Sequence, residues 1–156
     1  MIRSSNALVL FNKKLLMLLR DDIPTILDPN KRCLHGGCTE KNETPEQTLI
    51  RELKEEINVA PKNFKLLGKY IDRNLSEDYL YLVKLDEKEA TQVKLGDEGK
   101  ELRFFFFNEL KNIEPTVTLK KLFHVYRKEL EHLLMFGSLP YSGKIKPRQD
   151  FIFPLA

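Results

Sequence analysis

Two short apolar runs near the start of the chain predict a β-hairpin. Residues 7–11 read Ala-Leu-Val-Leu-Phe and residues 14–19 read Lys-Leu-Leu-Met-Leu-Leu, and runs of this length are typical of strands. Asn12-Lys13 between them is a two-residue connection that suits a tight turn. The next sharp feature is His-Gly-Gly at residues 35–37, which we interpret as a second break in the backbone.

Residues 45–57 have the hydrophobic periodicity of an α-helix. Thr44 suits the N-cap, Pro45 the first helical position, and Gln47 completes a capping box. Asn58 suits the end, since asparagine adopts the left-handed conformation that stops helices. The apolar positions recur every three or four residues and predict one buried stripe, formed by Leu49, Ile50, Leu53 and Ile57.

The second half of the chain repeats the order of strands followed by a helix. Strands are expected at residues 64–71, 79–85 and 102–107. The last of these ends in four phenylalanines, which suits a strand covered on both faces. Thr118–Met135 has helical periodicity and predicts one long helix. The whole order predicts an α/β or α+β mixed class.

Length and composition predict a globular protein with one domain, residues 1–156, in which 137–156 form a C-terminal tail. Apolar residues make up 42% and charged residues 31%, which argues against disorder. No apolar run approaches the roughly 20 residues of a membrane helix, and the first residues do not resemble a leader. We therefore expect a cytoplasmic protein without a membrane partner.

The charge balance narrows the partners only slightly. A net charge of +3 is compatible with an anionic substrate, but it does not justify expecting a nucleic-acid partner. The two cysteines, Cys33 and Cys38, predict small packing thiols rather than zinc ligands, because a zinc site needs about four ligands and only His35 is nearby. The apolar stretch Phe151–Leu155 packs either on this chain or on a second subunit.

Three carboxylates on the 45–57 helix are candidates for metal chemistry. Glu52, Glu55 and Glu56 are spaced i, i+3 and i+4 and project to one side. Converging carboxylates suit a hard cation such as Mg²⁺, which takes oxygen ligands. The Gly36-Gly37 pair, interpreted as a turn, would allow close backbone approach. The alternative is a solvated acidic face.

The spacing around these acids resembles the Nudix box, G-x5-E-x7-R-E-U-x-E-E-x-G-U, where U is a bulky aliphatic residue. Residues 37–59 match it as Gly37-x5-Glu43-x7-Arg51-Glu52-Leu53-x-Glu55-Glu56-x-Asn58-Val59. Asn58 stands in place of the last glycine and can adopt the same left-handed cap. The resemblance implies a Nudix-type α/β/α sandwich with a mixed central sheet.

The resemblance also implies an activity. A Nudix-type pyrophosphohydrolase hydrolyses a diphosphate linkage with Mg²⁺, for which Mn²⁺ is a possible substitute. The implied substrate is a small nucleotide: a nucleoside triphosphate, oxidised or not, or a nucleotide sugar. The alternatives are a non-catalytic Nudix-like module that binds a nucleotide or metabolite, and a structural protein with a coincidental acidic helix. Homodimers are frequent in the family, so the resemblance makes a homodimer one candidate for the oligomeric state.

Roles follow from the resemblance position by position. Glu52, Glu55 and Glu56 would bind metal and act in catalysis, and Glu52 is also a candidate general base. Gly36 would lend its carbonyl to the metal. The resemblance gives a structural role to Gly37, Glu43 and Arg51. It implies an ion pair between Glu43 and Arg51.

One more acid is implied from a later loop, catalytic and metal-binding. Glu98 and Glu101 are the candidates, and Glu98 is favoured because Gly99 beside it allows a tight loop. The alternative is that both are solvated loop charges. Nucleobases commonly stack on aromatic rings, but we favour a core role over base contact for the candidates Phe11, Tyr70, Tyr79, Tyr81 and residues 104–107. For His35 we favour a loop residue without a catalytic role over a substrate contact.

Overall fold

The computed structural model describes residues 2–71 and 75–142. Its seven strands are β1 Arg3–Phe11, β2 Lys14–Leu19, β3 Arg32–Cys33, β4 His35–Cys38, β5 Phe64–Ile71, β6 Glu77–Lys84 and β7 Glu101–Phe105. Its helices are α1 Pro45–Ile57, α2 Glu87–Gln92, α3 Val117–Val125 and α4 Arg127–Phe136, with a 3₁₀ helix at Phe107–Asn112. The class is mixed α/β, as predicted.

One mixed sheet holds all seven strands. Five lie in the order β3-β2-β1-β6-β5, while β4 also pairs with β1 and β7 with β2. The central pair β1–β6 is parallel, and the other pairs are antiparallel. A parallel pair needs a long crossover, and here that crossover contains α1.

The sheet lies between two helical layers because its strands alternate their side chains. In β1, Ala7 and Val9 join a buried cluster with Leu49, Leu53 and Ile57 of α1. The intervening Leu8 and Leu10 join the other cluster, together with leucines of α3 and α4. This arrangement is the α/β/α sandwich that the resemblance implied.

The first hairpin and α1 match the sequence prediction closely. Val9 faces Leu16 across the hairpin, and the connecting Asn12 and Lys13 have φ values of 48° and 61°, as a tight primed turn requires. Thr44 and Gln47 form the predicted capping box at the start of α1. The helix stops at Asn58, whose φ of 63° and ψ of 26° are left-handed. Within the predicted stripe, Ile50 is only partly buried.

The prediction of a strand through all four phenylalanines is wrong. β7 ends at Phe105, which is buried, whereas Phe106 is 46% exposed and Phe107 begins the 3₁₀ helix. The backbone N–H of Phe106 donates to the side chain of Glu109 at 2.9 Å. This local bond starts a helical turn where the strand would otherwise continue.

The prediction of one helix over Thr118–Met135 is also wrong. α3 and α4 are separated at Tyr126, whose φ of −113° and ψ of 30° leave the helical region. Its ring is only 2% exposed. Tyr126 and the leucines on both sides of the break join the same hydrophobic cluster.

The C-terminal segment is described only in part. Leu139 is buried in the cluster beneath α3 and α4, and Tyr141 packs against that cluster. The expectation for Phe151–Leu155 lies outside the described residues. Among the residues that the structure does describe, no helix has the length and apolar character needed to cross a bilayer.

Candidate active site

The glycine pair lies in a strand and not in a turn, which corrects the sequence prediction. In β4, Gly36 faces Asn6 and Gly37 faces Ser5 of β1. Gly36 has a φ of 141°, and a Cβ atom there would overlap the carbonyl oxygen of Ser5. A Cβ atom on Gly37 would overlap the carboxylate of Glu52. The backbone of β4 therefore approaches α1 closely, and only glycine permits this approach.

A cavity of about 550 Å³ opens beside this contact. One wall consists of the glycine pair and five acids: Gly36, Gly37, Glu52, Glu55, Glu56, Asp97 and Glu98. Much of the remaining wall is aliphatic, with Leu18, Leu27, Leu34, Leu119 and Leu122. Polar groups from separate segments complete the lining, namely Asn6, Arg20, Asp28, Cys33, Thr116 and Thr118. The three predicted α1 acids and Glu98 therefore share one cavity.

Arg51 connects the β4–α1 loop to the acids of α1. Its Nε and Nη2 atoms donate to the two oxygens of Glu43 at 2.7 and 3.1 Å, so the predicted ion pair is present. Nη2 also donates to the carbonyl oxygen of Cys38 at 2.9 Å. The bonds from Arg51 lower the pKa of Glu43 to about 2. A single guanidinium thus fixes the loop against the helix.

The same guanidinium holds two of the three α1 acids. Its Nη1 atom donates to Glu52 Oε1 at 2.8 Å and to Glu55 Oε2 at 3.4 Å. Burial raises the pKa of Glu52 and outweighs the opposing effect of Arg51. The charges of Glu56 and Glu55 also raise it. A carboxylate with a raised pKa binds a proton more readily than usual.

Glu56 has different partners. Its Oε2 atom accepts from the backbone N–H of Gly36 at 3.2 Å and lies 3.0 Å from Nδ1 of His35. His35 is fully buried in β4. The expectation of a loop histidine is therefore wrong, because the antiparallel pairing of β4 with β1 places this side chain inside the molecule.

The acids are of the kind that binds Mg²⁺, but they do not yet converge. Among residues 2–71 and 75–142, no group of three His, Cys, Asp or Glu side chains has a metal-holding arrangement. The contacts explain this, because Arg51 draws Glu52 and Glu55 to one side while β4 holds Glu56. Carboxylate and carbonyl oxygens around one cavity are nevertheless the ligands that a hard cation takes.

The loop before β7 separates the two candidates for the extra acid. Glu98 lines the cavity, whereas Glu101 begins β7 and forms an ion pair with Arg32 at 2.7 Å. Gly96 anchors the loop, since its N–H donates to the carbonyl oxygen of Glu56 at 3.1 Å. A Cβ atom on Gly96 would overlap the carbonyl oxygen of Glu55. Glu101 is thus placed in an ion pair with the buried Arg32, outside the cavity lining.

Sequence reasoning missed several lining residues. Asp97 stands between Gly96 and the favoured Glu98, so the glycine before it could have suggested a loop pressed against α1. Arg20 and Asp28 come from a connection without periodicity, where spacing carries no information about position. None of the aromatic candidates for base contact is among the described residues that line the cavity.

Cys33 also lines the cavity, and burial raises the pKa of its thiol to about 11. The thiol is therefore protonated near neutral pH and a poor metal ligand or nucleophile. Cys38 is exposed. Cys33 is therefore placed as a packing residue beside the acids.

Two proteins named for their activity are similar in sequence to this chain. The chain is 35% identical over 103 residues to an ADP-ribose pyrophosphatase of Methanocaldococcus jannaschii, covering 64% of this chain and 58% of that protein. It is 48% identical over 40 residues to an 8-oxo-dGTP diphosphatase of Escherichia coli K12, covering 26% and 31% respectively. The chain thus matches less than two thirds of either curated relative.

A solved structure shares the fold. A MutT structure from work on Aliivibrio salmonicida and Vibrio cholerae superposes with a TM-score of 0.66 at 17% identity, over 83% of this chain and 96% of that one. The family model described as the NUDIX domain matches residues 1–128. Since that match spans most of the chain and includes every residue of the box, the protein belongs to the NUDIX domain family.

Proposed function

We propose that this protein is a Mg²⁺-dependent pyrophosphohydrolase that splits the diphosphate linkage of a nucleoside diphosphate derivative. The observation that carries the proposal is a single cavity in which Glu52, Glu55 and Glu56 of α1 lie with Glu98 from a distant loop. Membership of the NUDIX domain family and the names of both curated relatives support it.

The metal would be held by oxygen atoms from three parts of the chain. Glu52, Glu55 and Glu56 would supply carboxylates, Gly36 its carbonyl, and Glu98 the carboxylate from the loop before β7. When bound, Mg²⁺ supplies neutralisation of the phosphate charge that otherwise repels a nucleophile. Mn²⁺ takes similar oxygen ligands and is expected to substitute.

Glu52 is the candidate general base within this set. Its burial raises its pKa towards the range in which a carboxylate can accept a proton from water. The Nη1 atom of Arg51 holds its Oε1 atom and so fixes the direction from which a water proton can be taken. The proton would therefore pass to a carboxylate that is both oriented and partly shielded from solvent.

The aliphatic wall suits the nucleoside part of the substrate. A nucleobase has apolar faces that leucine side chains can cover, and polar edges that Arg20 or Asp28 could contact. The two curated relatives are named for ADP-ribose and for 8-oxo-dGTP. We therefore keep two substrate classes: a nucleoside triphosphate, oxidised or not, and a nucleoside diphosphate sugar.

A substrate panel tests the proposal. The full chain is incubated with ADP-ribose, a nucleotide hexose, dGTP and 8-oxo-dGTP, each with Mg²⁺ and with Mg²⁺ plus excess chelator. We expect release of phosphate-containing products from at least one compound, abolished by chelator. Tight binding without turnover would instead indicate a non-catalytic nucleotide-binding module. Absence of both would support a structural role.

We propose that the chain folds as a single domain, assembles as a homodimer and is located in the cytoplasm. Gel filtration with light scattering gives the assembly directly. A chain ending after Ser142 retains the packed Leu139 and Tyr141, so it tests whether the last residues contribute to association. Equal masses per particle for the full and shortened chains would exclude that contribution.

A further inference from the structure

We infer that His35 is a positioning residue, which holds Oε2 of Glu56 so that Oε1 remains free for the metal. The inference rests on the proposed function, because it takes Glu56 as a metal ligand. Family resemblance assigns no role to the position before the glycine pair. The role follows from the contacts and burial of this side chain.

The position of the imidazole ring is fixed by the sheet. His35 faces Ala7 in the antiparallel pairing of β4 with β1, and its side chain has no solvent exposure. Its Nδ1 atom lies 3.0 Å from Glu56 Oε2. The next residue, Gly36, donates its N–H to the same oxygen at 3.2 Å. Adjacent residues of one rigid strand therefore converge on one carboxylate oxygen.

The second ring nitrogen shows why a histidine stands here. Nε2 is buried and has no hydrogen-bond partner among the described residues. A buried polar atom without a partner costs free energy, and an aliphatic side chain would avoid that cost. The imidazole therefore contributes through Nδ1, with the hydrogen on that atom so that it donates to Glu56.

The charge pattern of α1 explains why this donor matters. Arg51 pairs with Glu52 and Glu55, but no lysine or arginine in the described part of the chain pairs with Glu56. The Nδ1 atom of His35 and the backbone N–H of Gly36 orient Glu56 through contacts with Oε2 alone. Oε1, for which the described residues provide no hydrogen bond, keeps the charge of Glu56 available to a divalent cation. Outer partners of this kind orient metal ligands in other proteins.

The experiment separates the Nδ1 donor from the bulk of the ring. His35→Asn places an amide N–H where Nδ1 lies, His35→Leu keeps bulk without a donor, and His35→Gln moves the donor outwards. Mn²⁺ binding to the full chain is measured by calorimetry and by electron paramagnetic resonance, without nucleotide. Turnover is then measured against metal concentration, and circular dichroism verifies folding.

We expect His35→Leu and His35→Gln to weaken Mn²⁺ binding about tenfold, the loss typical of outer partners, while His35→Asn stays within about threefold of wild type. Turnover of the weakened variants should recover as metal is raised. Unchanged Mn²⁺ affinity in His35→Leu, or equal losses in His35→Asn and His35→Gln, would overturn the inference. If His35→Leu does not fold, the His35→Asn and His35→Gln pair decides it.

A control variant distinguishes this inference from the proposed function. Glu56→Gln should lose more Mn²⁺ affinity than any His35 variant. If Glu56→Gln binds Mn²⁺ like wild type, Glu56 is not a ligand and the metal site itself is wrong. If Glu56→Gln loses binding while His35→Leu retains it, the metal site stands and only the role of His35 is refuted.

Discussion

Arg51 contacts both carboxylate oxygens of Glu43, with Nε to Oε1 at 2.7 Å and Nη2 to Oε2 at 3.1 Å. The two residues are eight positions apart, one in the loop before α1 and one within it. Because this paired geometry satisfies two N–H donors at once, it is stronger than a single-contact ion pair. It links the loop that follows the glycine pair to the helix that carries the acids.

Acid stability should depend on this pair. The pKa of Glu43 is lowered to about 2 in the folded protein, so its contribution to folding is present above the unfolded value near 4.5. That contribution is lost as pH falls from there towards 2. Glu43→Gln should lower the free energy of unfolding at pH 7 by about 1–3 kcal/mol, with a smaller difference near pH 2.5. Urea unfolding without metal at several pH values measures this, and a pH-independent difference would contradict it.

Removing the charge of an α1 acid should affect turnover far more than folding. We expect Glu55→Gln or Glu56→Gln to lower turnover at least about 100-fold, since metal and base contributions are each of that order. Each change keeps the shape of the side chain. Glu46→Gln, on an exposed position of the same helix, is the matched control. Near wild-type turnover by metal-loaded Glu56→Gln would refute the assignment.

Glu98 and Glu101 should separate in activity and stability. Glu98→Gln removes a carboxylate from the cavity wall, so turnover should fall about tenfold or more. Glu101→Gln breaks the ion pair with the buried Arg32 and should change turnover less than about threefold, with a stability loss of about 1–3 kcal/mol. Steady-state kinetics and thermal unfolding of both variants measure this. Asp97→Asn tests the neighbouring acid in the same way, and the reverse ranking would favour Glu101.

The two glycines of β4 should respond differently to a methyl group. In Gly37→Ala the new atom meets the end of the Glu52 side chain, so the chain should fold while Mg²⁺ affinity and turnover fall. In Gly36→Ala it meets the backbone of Ser5 at a φ of 141°, which should destabilise the fold by about 1–3 kcal/mol. Circular dichroism, calorimetry and kinetics distinguish the cases. Equal stability of both variants would contradict the close approach to Ser5.

Features determined by neighbouring residues were predictable from sequence. The capping box of Thr44 and Gln47, the left-handed Asn58 and the Asn12-Lys13 turn each depend on a few adjacent residues. The box spacing likewise placed Glu52, Glu55 and Glu56 on one side of one helix. The cavity that these acids share depends on this helical spacing and on the crossover between β1 and β6, which contains α1.

Features determined by distant partners were not predictable. From sequence alone, the glycine pair resembles a turn. Its extended conformation depends on β1, whose backbone pairs with β4 in the sheet. Tyr126 interrupts an otherwise regular helical pattern where its side chain joins a buried cluster built partly from distant strands. Arg20 and Asp28 reach the cavity from an irregular connection, where no period relates sequence to position. Burial of His35 depends on the same strand pairing.

The alternation along β1 makes the length of this strand critical to the whole molecule. Ala7 and Val9 point to one hydrophobic layer while Leu8 and Leu10 point to the other. Deleting one residue between Asn6 and Leu8 would invert these directions and disrupt both layers together. Insertions and deletions should therefore accumulate in the connections. Within β1, the number of residues between Ser5, which faces Gly37, and the Asn12-Lys13 turn should stay constant.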